Sequence, residues 1–289
     1  MTRKVCVITG ANRGLGKAMA MDIARQDYEV VLVCRNMDKA NEVKEEIIRE
    51  TSNAHIRIIK ADMSSMTEVI RAAEEVKSFY PKIDVLINNA GVFLSKYTPT
   101  TDGLDEQYAV NYLSVCLFTM ELVDMLNRSA APRVINVGSN LHRYGSLPLP
   151  VYTSKTFYNG VKTYANTKLA VMMFTFEFAT RFKGINANVF HPGTVDTEIG
   201  NRYSHGIYKY GWRLLTKFFI PASKGAETGI YLACSPEVTG KTGLYYFHKR
   251  PVSSSARSRN KELSKKLWEN TNQLIQQYRC KPREQEVSV

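Results

Sequence analysis

Residues 5–16 read Val5-Cys6-Val7-Ile8-Thr9-Gly10-Ala11-Asn12-Arg13-Gly14-Leu15-Gly16, and this stretch decides the fold. The apolar run that closes on Thr9 has the length and β-branched character of a parallel strand buried on both faces. A helical pattern over 14–24 follows at once. A glycine-rich turn between a buried strand and a helix, at the start of a βαβ unit, is the context in which such a turn receives a pyrophosphate. Gly10 permits the tight turn, Gly14 lets the backbone approach an anion, and Gly16 allows helix to pack closely on strand. The spacing is G-x-x-x-G-x-G rather than the more general G-x-G-x-x-G.

Outward from this turn the alternation repeats. Strands are expected at 30–34, 55–59, 83–87, 133–137, 186–190 and 243–247, with helices at 39–50, 67–79, 105–128, 163–182 and 224–234. The fold class is therefore α/β: a single doubly wound Rossmann-type domain with a parallel seven-stranded sheet and right-handed crossovers. No linker or low-complexity stretch divides it, so one domain is expected over 1–275. A lid over about 196–222 belongs to it, and a frayed basic tail over 276–289 follows.

Sheets of this kind bind ligands beyond the carboxyl ends of their strands, where strand order reverses. The end of the second strand separates the two nicotinamide cofactors. A carboxylate there would suit the ribose hydroxyl of NAD, but Cys34-Arg35-Asn36 places a guanidinium at that point. A guanidinium suits a 2′-phosphate, and Arg13 in the glycine turn offers a second cation, so NADP(H) is the expected cofactor.

Tyr164-Ala165-Asn166-Thr167-Lys168 sets a phenol and an ammonium four residues apart on one helical face. An ammonium nearby favours the phenolate, so the Tyr164 pKa is expected to fall towards the range of an acid/base catalyst. Ser139, at the end of the strand 133–137, is placed to donate to a substrate oxygen. Asn111 is an amide in the middle of a helix, which reads as a satisfied core group close to the site. His142, three residues after Ser139, reads equally as a residue of the substrate entrance or as a satisfied histidine.

These motifs together resemble the short-chain dehydrogenase/reductase family over nearly the whole chain. They occur in family order: Thr9-Gly10-x-x-x-Gly14-x-Gly16, Asp62, Asn88-Asn89-Ala90-Gly91, Asn111, Ser139, Tyr164-x-x-x-Lys168 and Pro192-Gly193. The resemblance implies that Asn111, Ser139, Tyr164 and Lys168 form the catalytic set. It implies that Gly10, Asn12, Arg13, Gly14, Leu15, Gly16 and Arg35 hold the phosphates, and that Asp62 and Met63 flank the adenine. Asn89, Ala90 and Gly91, with Asn88 before them, would line the nucleotide cleft. Lys168 and Tyr164 would also touch the cofactor, with Lys168 on the nicotinamide ribose. Pro192, Gly193, Val195 and Thr197 would close over the nicotinamide amide and the diphosphate. Asn111 would keep a water on the proton path.

Within the family the chain looks like the retinol dehydrogenase branch, on Cys34-Arg35-Asn36, Ser139-Asn140-Leu141-His142 and His191-Pro192-Gly193-Thr194-Val195-Asp196-Thr197. Gly138 departs from the many relatives that carry a serine there. What this implies is a carbonyl reductase or alcohol dehydrogenase activity on a small apolar carbonyl or alcohol, retinal-like or lipid-derived. Tyr208, Tyr210, Trp212, Leu214, Leu215, Phe218 and Phe219 of the lid, with Tyr152, Phe157 and Tyr158, would offer the apolar surface. The family often pairs subunits through the helices carrying Tyr164 and Asn111, so a homodimer is compatible with the resemblance. The alternative is a catalytically silent NADP(H)-binding sensor or scaffold, but such proteins usually lose the Tyr, Lys or Ser, and all three are present.

The bulk numbers bound these readings. Of the 289 residues, 44% are hydrophobic and 23% charged, a globular balance, with a formal charge of +12. Half of that charge falls in residues 249–289, with ten Lys/Arg against four Asp/Glu, and reads as a solvated helix and tail. No helix-turn-helix or aromatic-basic pattern accompanies it, so no nucleic-acid partner is expected. The five cysteines are scattered without CxxC or metal-ligand spacing, so neither a disulfide framework nor a metal site is expected. The first strand starts near the first residue and no run of 18 apolar residues follows. A cytoplasmic protein is expected on this basis, with peripheral contact to an intracellular membrane through the aromatic-basic stretch 208–220 as the sharper alternative.

Overall fold

The computed structural model describes residues 3–147, 158–195 and 220–280. Thr197, most of the lid stretch 196–222, Tyr152, Phe157 and the last residues of the basic tail lie outside the described residues.

The opening run is strand β1 (Val5–Thr9), buried at every position, and it feeds helix α1 (Gly14–Ala24). The pattern continues as β2 (Glu29–Cys34), α2 (Met37–Thr51), β3 (Ile56–Lys60), α3 (Met66–Phe79) and β4 (Val85–Asn88). Next come α4 (Glu106–Asn127), β5 (Arg133–Val137), α5 (Gly160–Arg181) and β6 (Asn186–Phe190). The chain closes with α6 (Ala222–Cys234), β7 (Tyr245–Phe247), β8 (Arg250–Pro251) and α7 (Lys261–Arg279).

The sheet order is β3-β2-β1-β4-β5-β6-β7-β8, parallel from β3 to β7. The reversal of strand order falls between β1 and β4, and the crevice beyond their carboxyl ends is the ligand position of such a sheet. The sheet has one strand more than the seven expected: β8 pairs antiparallel with β7 at the edge. It is two residues long and contains Pro251, which an edge strand tolerates because its outer side needs no donor.

Helices cover both faces, each over its own core. One core joins α1, α2 and α6 to the sheet through Met19, Ile23, Ile47 and Leu232; the other joins α3, α4, α5 and α7 through Val76, Phe118, Phe178 and Trp268. Helix α4 is long and apolar enough to cross a membrane by length and composition, but 83% of its apolar window is buried inside the chain, the pattern of a core helix.

Helix α7 runs to Arg279, four residues into the stretch expected to fray, because Tyr278 is buried on the protein. Leu267, Trp268, Thr271 and Ile275 of α7 are buried as well. Trp268 stacks on Phe174 of α5 with ring centroids 5.4 Å apart, and the Arg181 guanidinium lies 5.0 Å from its ring. Thr271 Oγ1 meets the Tyr112 hydroxyl of α4 at 2.6 Å, and Arg279 joins Lys77 of α3 on Glu121 of α4. The helix thus lies across the layer of α4 and α5, the helices through which the family resemblance would pair two subunits.

Candidate active site

The glycine turn is locked from behind. Thr9 Oγ1 accepts from the Asn89 and Ala90 amides at 3.0 Å each, and Asn89 Nδ2 donates to the carbonyls of Thr9 (2.9 Å) and Gly10 (3.0 Å). A Cβ on Gly16 would stand 2.5 Å from Asn89 Nδ2, and one on Gly10 would stand 2.9 Å from Ala90 Cα. Gly10 and Gly14 have φ of +66° and +51°, so the backbone there takes a left-handed path that glycine follows without strain. Asn89 therefore holds the turn in shape.

The residues of this crevice fit a dinucleotide phosphate. Helices α2, α3, α5 and α7 each have a side chain (Asn36, Ser65, Asn159, Asn260) that accepts from an N–H of the first turn. Helix α1 begins after Arg13 with no side-chain cap and no acid in its first turn. Its amino-terminal N–H groups and dipole are the donor set that an anion takes. Asn12 and Arg13 lie in the turn itself. Leu15 is buried and packs towards Gly225 and Val195, beside Pro192 and Gly193. Gly193 has φ +89°, and Val195 bridges to Ile220, so residues 192–195 form one wall of the crevice.

Arg35 follows the last residue of β2, and its guanidinium donates to Asp62 Oδ2 at 2.8 Å. Asp62 Oδ1 accepts from the amide and hydroxyl of Ser64, and Glu68 accepts from the Asp62 amide at 2.9 Å. Burial works to raise the Asp62 carboxyl, but Arg35 and Ser64 outweigh it and hold it below the usual carboxylate range. The two residues expected to meet the adenosine end thus adjoin each other at the rim. Met63 is buried at the edge of the core that also holds Met66.

The catalytic candidates meet on the other side of β4. Ser139 stands beside Tyr164, close enough for its hydroxyl to favour the phenolate. Lys168 Nζ, buried, donates to the Val137 carbonyl at 2.8 Å and lies 5.6 Å from the centre of the Tyr164 ring. A Cβ on Gly91 would be 3.8 Å from the same Nζ, so Gly91 borders the ammonium. Phe93 stands edge-on to Tyr164 with centroids 5.7 Å apart. Gly138 leaves the space that Val189 fills: a Cβ there would come within 2.8 Å of Val189 Cγ2, which gives the departure from serine a steric reason.

Asn111 lies in a π-helical turn, Ala109–Leu113, inside α4. Its side chain accepts from the Val92 amide at 2.7 Å and donates to the Val92 carbonyl at 2.8 Å, pinning the segment that carries Ala90 and Gly91.

One expectation is corrected. Lys168 was expected to lower the Tyr164 pKa; instead, burial pushes Tyr164 up to about 12, opposed by Ser139. Burial also pushes the Lys168 ammonium down to about 8. The ammonium spends a donor on Val137 and stands beside the ring rather than at the hydroxyl. A Tyr164 held protonated at neutral pH is a proton donor, the form that reduction of a carbonyl uses.

One feature of the site escaped sequence reasoning. A buried ladder runs Thr119–Asn88–Asn136–Thr175 at 2.9, 2.8 and 2.8 Å beneath the crevice. Its signal was the amides at the ends of otherwise apolar strands. Of the two readings of His142, the satisfied core histidine is the one observed, with no exposed surface.

A family model for short chain dehydrogenases matches residues 4–207, and the chain belongs to that family of oxidoreductases. Mouse retinol dehydrogenase 12 is 35% identical over 274 residues, 94% of this chain and 86% of that protein. Mouse retinol dehydrogenase 14 is 34% identical over 290 residues, 95% and 86% of the two chains. Among solved structures, an uncharacterized protein from Mycobacterium paratuberculosis is similar with a TM-score of 0.74 and 27% identity, over 95% of this chain and 94% of that one. An alcohol dehydrogenase from the archaeon Thermococcus sibiricus, complexed with 5-hydroxy-NADP, shares the fold with a TM-score of 0.66 and 22% identity, over 87% and 100%.

Proposed function

We propose that this chain is an NADP(H)-dependent oxidoreductase that interconverts a bulky apolar aldehyde or ketone, retinal-like or lipid-derived, with its alcohol. The observation that carries the reading is the meeting of Ser139, Tyr164 and the buried Lys168 at the crevice whose far rim carries Arg35. Arg35, where an acid would favour NAD, supports the phosphorylated cofactor. Lys168 and Gly91 would border the ribose, and the free first turn of α1 would hold the diphosphate.

NADP(H) bound in this crevice supplies the hydride. In the reductive direction Tyr164 gives its proton to the carbonyl oxygen, and Ser139 donates a hydrogen bond to the charge developing on that oxygen. Lys168, anchored on the Val137 carbonyl, would hold the cofactor's ribose beside Tyr164. The Asn111–Val92 bonds fix the floor on which Gly91 and Phe93 sit. Phe93 against Tyr164, and Tyr97 against Tyr158 at 6.0 Å, give the described part of the mouth an aromatic rather than hydroxyl-binding character. The names of the relatives, retinol dehydrogenases 12 and 14, point the same way.

The reading is tested by kcat/KM along a saturated aldehyde series with NADPH. Efficiency rises with chain length if burial of apolar surface, at roughly 25 cal/mol per Å², drives recognition. A flat series, or preference for small polar carbonyls, removes the apolar-substrate assignment.

A further inference from the structure

We propose that His142 is a positioning residue for Ser139, fixing the serine's main chain against the segment around Ser255. This rests on the reading of Ser139 as the group that binds the carbonyl oxygen.

His142 lies in the 3-10 turn Asn140–Tyr144 that follows Ser139. Its Nδ1 is 2.7 Å from the Ser139 carbonyl, which also accepts the His142 amide at 3.1 Å. Its Nε2 is 3.1 Å from the Ser255 amide nitrogen. A main-chain amide only donates, so Nε2 accepts and the ring proton sits on Nδ1, donated to Ser139. The tautomer is thereby set by the two partners together. Burial pushes the ring's pKa below its ordinary value, the Ser139 carbonyl opposing it and Arg143 adding to it. The Tyr245 ring packs edge-on at 5.2 Å and closes the remaining side.

Two further tethers flank this one. Arg143 donates to the Ser253 carbonyl at 2.8 Å, and Arg257 donates to the Gly145 carbonyl at 2.6 Å. The turn carrying Ser139 is thus held along its length by residues 253–257. Packing alone would be served by an apolar ring, whereas a buried imidazole is tolerated because both nitrogens are bonded. Direction matters at Ser139 because its hydroxyl accepts from the Leu141 amide at 3.2 Å and adjoins Tyr164. A rotation of the peptide after Ser139 swings the carbonyl away from His142 and shifts the serine out of line with Tyr164.

The experiment is a double-mutant cycle on the full chain, with NADPH and both nonanal and all-trans-retinal as probes. His142→Ala is expected to lower kcat about ten- to a hundredfold, the scale of a misplaced catalytic group, with the Kd for NADPH changed less than about twofold. In a Ser139→Ala background the same substitution is expected to cost less than about twofold, because its effect runs through the serine. His142→Asn and His142→Gln separate the two bonds. An Asn amide reaches the place of Nδ1 and restores most of kcat; a Gln oxygen reaches the place of Nε2 and restores the melting temperature without kcat.

Equal losses in both backgrounds, or Gln rescuing kcat as well as Asn, overturn the proposal while leaving Ser139 in its role. Full activity of Ser139→Ala overturns the reading of Ser139 itself. Independently of turnover and of any variant's folding, 15N spectra of the histidines at pH 7 are expected to show a neutral, Nδ1-protonated ring for His142. An Nε2-protonated or imidazolium signal refutes the geometry.

Discussion

Replacing Lys168 by methionine is expected to make the protein more stable and inactive. The ammonium is buried, with 4% of its surface exposed, and burial pushes it from 10.5 down to about 8. A depression of that size corresponds to about 3 kcal/mol of unfavourable free energy for keeping the charge in the folded state at pH 7. Methionine fills a similar volume without charge, but it leaves the Val137 carbonyl without its 2.8 Å donor, which costs about 1 kcal/mol. The net expectation is about 2 kcal/mol of stabilisation, or about 4 °C in Tm for a chain of this size. The pH dependence carries the sign. Between about 8 and 10.5 the unfolded chain binds more protons at this site than the folded one, so wild-type stability rises with pH across that window. The variant has no such group, so its advantage is complete below pH 8 and shrinks away towards pH 10.5. Urea denaturation of both proteins at pH 7, 9 and 10 measures this. A variant that is less stable at pH 7, or an advantage that does not change with pH, refutes the reasoning.

Gly16→Ala is expected to weaken NADPH binding at least about tenfold, since the new methyl meets Asn89 at 2.5 Å and forces open the turn; fluorescence titration reads it. Arg35→Asp is expected to lower kcat/KM for NADPH and raise that for NADH relative to it, because a carboxylate repels a 2′-phosphate and accepts from a ribose hydroxyl; a ratio that stays put removes Arg35 from cofactor choice. Trp268→Ala is expected to cost about 3–5 kcal/mol by chemical denaturation, the loss of a buried indole stacked on Phe174. Since α7 covers α4 and α5, the wild-type chain is expected to sediment as a monomer, and the Trp268 variant to self-associate.

The central part of the fold was legible because its strands are buried on both faces and so read as unbroken apolar runs, with Val5–Thr9 the clearest. The turn glycines were equally legible, since left-handed backbone and close approach leave few other choices. Strand β8 was not, because two residues with a proline carry no alternation. The contribution of α7 was hidden by its charge: the segment was read as solvated, yet Leu267, Trp268, Thr271 and Ile275 recur at helical spacing and bury one stripe. The π-turn around Asn111 has no signature in a helical pattern, although the odd amide marked the place. The closeness of Ser139 and Tyr164 could be expected only as a meeting of motifs. The direction of the Tyr164 shift depends on how deeply the phenol is buried, which spacing along a helix does not reveal.

The most direct test of the account is single-turnover oxidation of NADPH, followed at 340 nm, by Tyr164→Phe with a long-chain aldehyde. The substitution removes the phenolic oxygen and little else, so NADPH should bind as before while the rate falls by about two orders of magnitude or more. A variant that keeps more than about a tenth of the wild-type rate would mean that another group delivers the proton, and would contradict the role given to Tyr164.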